Sequence, residues 1–191
     1  MLDALAQRTI IVGNSGSGKS TLAARIAAAT GVPHIGLDEI YWIDQSFLRK
    51  RGQAEALQMM RAAGRTPGWV IEGVFGWLVD VVSPCATTLV WLDLPWDACE
   101  AGLLERGPVW GSDEAEFNQL LVWAHLYWER QTSSSHAGHE KIFDDFAGRK
   151  LRLQSREDVE AFVGAFTRVL AAGELAAGEL GVRVLGVRSV A

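Results

Sequence analysis

The sequence predicts an α/β fold, a mostly parallel sheet doubly wound by helices on its two faces. Three observations carry that expectation. Short apolar runs rich in β-branched residues alternate along the chain with amphipathic helical stripes. The glycine-rich stretch GNSGSGKS (residues 13–20) lies between the first such run and the first stripe. The run TTLVWLDL (residues 87–94) is apolar enough to be buried on both faces, as a central parallel strand must be.

The elements follow in order. TIIV (residues 9–12) ends at a glycine and reads as a buried strand. After the loop, Leu22, Ile26 and Ala29 share one side of a helix that Gly31, Val32 and Pro33 terminate. HIGL (34–37) is a second strand, and a helix is expected over 47–63. Thr66, Pro67 and Gly68 make a turn into a third strand, WVIE (69–72). Beyond the run at 87–94, Trp96, Cys99, Leu103 and Leu104 mark one helix face. Asp113 starts another helix, with Phe117, Leu120, Leu121, Ala124 and Trp128 as its apolar stripe. KLRL (150–153) is the fifth strand. Ser155 and Asp158 then form a capping box for a helix striped by Val159, Phe162, Val163, Phe166 and Leu170. The tail opens with AAGELAAGEL (171–180), a tandem five-residue repeat, and continues as VRVLGVRSV. It reads as an appendage over 171–191, outside a single domain over 1–170.

Composition narrows the function classes. A chain of 191 residues, 49% hydrophobic and 21% charged, can bury one sizeable core. Its formal charge is −5 and its pI about 5.4. With no concentrated basic patch, that balance argues against direct binding to nucleic acid or to an anionic membrane. Cys85 and Cys99 have neither zinc nor redox spacing, so both are expected as small buried hydrophobes in a reducing cytoplasm. The N-terminal stretch lacks a signal-peptide pattern, and no apolar run approaches the roughly 20 residues of a membrane helix. A cytoplasmic protein is the expectation. Of the eight tryptophans, Trp69, Trp91 and Trp128 fall on apolar strands or stripes and are expected in the core. Trp42 and Trp77 follow strand ends, where they could either pack or stack on a planar ligand.

Residues 13–20 match the full phosphate-loop pattern, Gly13, four residues, Gly18, Lys19 and Ser20, between a predicted strand and a predicted helix. Gly13, Gly16 and Gly18 allow the backbone to approach phosphates closely, and the helix N-terminus adds positive potential. Asn14, Ser15, Ser17 and Thr21 complete the cradle. Lys19 is expected on the β- and γ-phosphates, and the Ser20 hydroxyl on Mg²⁺. The implied cofactors are therefore ATP and Mg²⁺. Acidic residues stand at three strand ends, on the edge where such sheets bind ligands: Asp38 or Glu39, Glu72 and Asp93. Asp38 suits a base or orienting carboxylate for an acceptor hydroxyl. Asp93 suits either a water-mediated metal contact or a helix cap.

The motifs GNSGSGKST, HIGLDEIYW, GWVIEGVF and LVWLDLPWDACEAGLLERG, in this order, resemble the small P-loop kinases of the adenylate kinase-like type. The resemblance is strongest to the DNA topology modulation proteins, also called adenylate kinase-related, and spans about 9–166. It implies a five-stranded parallel sheet in the order 2-3-1-4-5 and a helical lid at about 107–148, after a helix ending at Arg106. It places Asp38 and Trp42 beside the acceptor, Glu72 and Gly73 near the transferring phosphate, and Gln154 to Arg156 near the adenine. Lids of these kinases usually carry several arginines. Here the segment offers Arg130 and Lys141 besides Arg106 at its border, and Arg106 with Arg130 is the expected charge-stabilising pair. TSSSHAGHEK (132–141) reads as a flexible stretch whose His136 and His139 are solvated rather than metal-bound. Two functions stand open: transfer of the ATP γ-phosphate to a small molecule, a nucleotide among the candidates, or slow ATP hydrolysis by a protein that acts through a partner. The strand-end acids favour transfer.

Overall fold

The apolar runs become five strands: β1 (Arg8–Gly13), β2 (His34–Gly36), β3 (Trp69–Gly73), β4 (Thr88–Leu92) and β5 (Arg149–Leu153). In this computed structural model the described residues are 7–43, 49–108 and 113–171. All strand pairs are parallel, and the order is β2-β3-β1-β4-β5, as the resemblance implies. Ile10 pairs with Ile71 on one side and Leu89 on the other, which centres β1 and its loop in the sheet.

Eight helices are described: α1 (Lys19–Thr30), α2 (Leu37–Tyr41), α3 (Gln53–Gly64), α4 (Gly76–Val82), α5 (Trp96–Arg106), α6 (Glu114–His125), α7 (His136–Asp145) and α8 (Arg156–Ala171). Strand alternation divides the apolar residues between two cores. Ile10, Val12, Trp69, Ile71 and Trp91 face α3, α4 and α7. Ile11, Val70, Val90 and Leu92 face α1 and α8, where Leu22, Ile26, Phe162 and Phe166 meet them. The reciprocal bonds of Ser155 and Asp158, at 3.0 and 3.1 Å, form the expected capping box before α8. Asp113 starts α6 with a second one, shared with Glu116. Among the described residues no helix is long and apolar enough to cross a membrane.

Several local expectations are corrected. Leu37 does not finish β2 but opens α2, a helix of little more than one turn. The helix expected from 47 begins at Gln53, with 47 and 48 outside the described residues. Helix α4 was not expected, because its Val-rich stretch lacks a long periodic pattern. Burial of Leu78, Val79 and Val82 against the sheet stabilises it. Trp128 lies past the end of α6, in a 3-10 turn (Leu126–Trp128). Cys85 is exposed, whereas Cys99 is buried. The largest correction concerns residues 132–141. Ser135 caps α7 by accepting from the Gly138 amide, and His139 is fully buried, so the serines and glycine here serve helix entry and close packing. The tail from 172 lies outside the described residues.

Candidate active site

The phosphate loop is held on three sides. Gly16 and Gly18 have φ of 79° and 93°, the left-handed region that glycine tolerates. A Cβ on Gly102 of α5 would lie 2.3 Å from the Gly16 carbonyl oxygen, so only glycine lets the helix backbone press against the loop. Arg156, the first residue of α8, donates to the carbonyls of Gly16 (2.9 Å), Ser17 (3.0 Å) and Ala98 (2.8 Å). Arg156 therefore clamps the loop to α5. Buried Asn14 donates from Nδ2 to the Ala124 carbonyl at 2.9 Å, tying the loop to the C-terminal end of α6.

Lys19 heads α1 and donates from Nζ to the Asn14 carbonyl at 2.7 Å. Burial pushes its pKa below the usual lysine value, while the charges of Glu72 and Asp38 oppose the shift. The Ser20 hydroxyl donates to Glu72 Oε1 at 2.9 Å. Glu72 is the penultimate residue of β3, and His34 Nε2 lies 3.6 Å from the same Oε1 that accepts from Ser20. Burial alone would raise the Glu72 carboxyl. His34, Lys19 and Ser20 together outweigh it and hold the group below the ordinary carboxylate range. Asp38 stands in the first turn of α2, and the Trp42 side chain hydrogen-bonds its carboxylate. Partial desolvation by the surrounding protein raises the Asp38 pKa and Glu72 adds to it, against the pull of Lys19 and Arg106.

These groups share one cleft of about 1070 Å³. Ser15, Gly16, Gly18, Lys19, Ser20, Thr21, Asp38, Trp42, Glu72, Arg106 and Arg156, all expected at the site, line it. Helix α6 closes one wall with Glu116, Phe117, Leu120 and Trp123. The capping box at Asp113 was a signal for that helix, but nothing in its pattern told which face would turn to the cleft. Arg156 meets the loop through its carbonyls, a role that its expected place near the adenine did not include. Gly13, Asn14, Ser17 and Gly73 support the walls without lining them. A Cβ on Gly73, for example, would lie 2.5 Å from the Cβ of Leu37.

Asp93 and Arg130 do not line the cleft. Asp93 neither caps α5 by a side-chain hydrogen bond nor leaves an oxygen open. One of its oxygens accepts from Arg152 Nε and Nη2 at 2.9 and 2.7 Å, and the other lies 3.1 Å from His136 Nε2. Arg130 donates to the carbonyls of Trp123 and Ser134 and stacks over the Trp123 ring at 4.0 Å. Arg106 is thus the member of the expected pair that lines the cleft. The donor set fits a phosphate-bound Mg²⁺: Ser20 offers one oxygen with Glu72 behind it, and no cage of three His, Cys, Asp or Glu side chains occurs among the described residues.

No protein-family model matches the chain, and no curated protein does. Solved structures match it by shape. A shikimate kinase from Bacteroides thetaiotaomicron is 19% identical over 86% of this chain and 98% of its own, with a TM-score of 0.50. A shikimate kinase from Acinetobacter baumannii in complex with shikimate is 14% identical over 92% of this chain and 100% of its own, with a TM-score of 0.52. Likeness at these identities is one of fold, and together with the strand order it shows that the chain has the P-loop kinase fold.

Proposed function

We propose that the chain is a phosphotransferase that moves the γ-phosphate of ATP, bound with Mg²⁺, to a small acceptor held beside Asp38 and Trp42. The observation that carries this reading is that the phosphate loop and the Asp38 carboxylate share one cleft. A carboxylate in the same cleft as the loop can take the proton that an acceptor hydroxyl must lose. The sequence resemblance to adenylate kinase-related proteins supports transfer, while the net charge of −5 speaks against a direct role on DNA.

Bound ATP·Mg²⁺ supplies a γ-phosphoryl group whose bond to the β–γ bridging oxygen breaks, releasing ADP, as the acceptor oxygen bonds to phosphorus. Lys19 leaves the Asn14 carbonyl to neutralise the β- and γ-oxygens. Ser20 would offer its hydroxyl oxygen to Mg²⁺, and Glu72, which accepts the Ser20 proton, would orient it. Asp38 takes the acceptor hydroxyl proton, a role its raised pKa favours. Arg106 offsets charge that grows on the transferring group. Trp42 holds the Asp38 carboxylate in place.

Asp38→Asn tests the reading. ATP affinity, measured by calorimetry, should be retained, while acceptor-stimulated ADP release should fall by about 10²–10⁴-fold. Undiminished turnover would remove Asp38 from the chemistry and favour the partner-acting alternative.

A further inference from the structure

The cleft has few cations beyond those a triphosphate would engage, and this restricts the chemistry of the acceptor. The argument rests on the transfer reading above for where the acceptor binds. Among the described residues, the cations lining the cleft are Lys19, Arg106 and Arg156. Arg156 is engaged by three carbonyl oxygens, and the other two face the phosphates when ATP is bound. Close to Asp38, Arg51 is taken up by the carbonyls of Ile40 and Trp42 and by Glu55. Lys50 is exposed, lies 5.9 Å from the Trp42 ring centroid, and is not part of the cleft wall.

Acids and aromatic rings remain. Asp38, Glu72, Glu105 and Glu116 line the cleft together with Trp42 and Trp123; Glu72 is held by Ser20 and Glu116 by the Asp113 amide, which leaves Asp38 and Glu105. A phosphate or carboxylate on the acceptor would come beside these carboxylates with no free lysine or arginine on the described wall, which is unfavourable. An ammonium group would find the exposed carboxylates of Asp38 and Glu105, which attract it. We propose that the acceptor is a hydroxylated amine, bound as its cation and carrying no anionic group.

Two measurements on the full-length wild-type protein test this. In the first, calorimetry compares ATP with a pentaphosphate that links two adenosines and can reach a second nucleotide site. The pentaphosphate should bind about as tightly as ATP, whereas a gain on the order of 10²-fold or more would reveal a nucleotide acceptor site and overturn the proposal. In the second, amino alcohols and amino sugars are compared with hydroxy acids and nucleoside monophosphates of matched size. ADP release with ATP·Mg²⁺ is read beside the melting temperature with a non-hydrolysable ATP analogue. Amines should stimulate release and raise the melting temperature, and the anionic series should do neither. Stimulation by the anionic series overturns the charge assignment and leaves transfer standing. A melting shift with amines but no stimulated release keeps the charge assignment and removes transfer. Silence from the amines in both readouts overturns the amine assignment.

Discussion

Lys19 shows how one side chain can be named from sequence and still have its environment decided by the fold. Its ammonium is buried and held by a backbone carbonyl of its own loop, with two acids supplying countercharge. Lys19→Ala should abolish measurable ATP·Mg²⁺ binding by calorimetry. The freed Asn14 carbonyl costs about 1–3 kcal/mol at most, so the far-ultraviolet circular dichroism should be unchanged. Wild-type ATP affinity in the variant would mean that the loop does not hold a triphosphate. Asp93 is the opposite case at the same scale. It ends a strand with the form of a metal-binding acid, but Arg152 arrives from β5 and His136 from α7, both more than 40 residues away in sequence, and take its oxygens.

At the scale of elements, α7 and the start of α5 each give a test. His139 of α7 lies between the Tyr127 hydroxyl, 2.6 Å from Nδ1, and the Val74 carbonyl, 3.0 Å from Nε2. The carbonyl can only accept, so Nε2 carries the proton and Nδ1 accepts from tyrosine. Burial pushes the histidine down to about 3. The folded value is below the unfolded one of about 6.5, so the unfolded chain binds the proton first on acidification. The stability contributed by the neutral ring is complete above pH 6.5 and is lost as pH falls towards 3, by up to about 1.4 kcal/mol per pH unit. Urea midpoints between pH 7 and 5 should show a shallower acid loss for His139→Gln than for wild type, and equal slopes would contradict the buried neutral ring. For α5, Gly102→Ala would push a methyl group onto the Gly16 carbonyl and Arg156. It should cost about 1–3 kcal/mol and weaken ATP binding, read from the melting curve and from calorimetry. An unaltered ATP affinity would show that the loop tolerates displacement by α5.

Over the whole molecule, the sheet separates two cores, and Phe162 and Phe166 of α8 complete the one beneath α1. The core is therefore closed before the AAGEL repeat begins. Truncation after residue 172 should leave ATP binding unchanged and shift the melting temperature by no more than a few degrees, corresponding to about 1 kcal/mol. A larger fall would mean that VRVLGVRSV packs on the domain.

The sequence by itself determined the phosphate loop, the five strands and the helices on long stripes, because glycine spacing, β-branched runs and capping boxes are local signals with few alternative structures. It also brought Asp38, Glu72 and Ser20 within one argument, since strand ends of a parallel sheet lie on one edge. Short elements were another matter. Helices α2 and α4 are held by burial against β3 and the sheet rather than by propensity, and α7 draws on a buried histidine that looks solvated in a Ser/Gly-rich stretch. Only the tertiary structure decided that Arg156 clamps the loop, that Arg130 supports Trp123 outside the cleft, and that α6 turns Glu116 and Trp123 inward. Each of these depends on which distant carbonyl or ring comes within hydrogen-bonding or stacking range, and that is set by how the helices pack on the sheet.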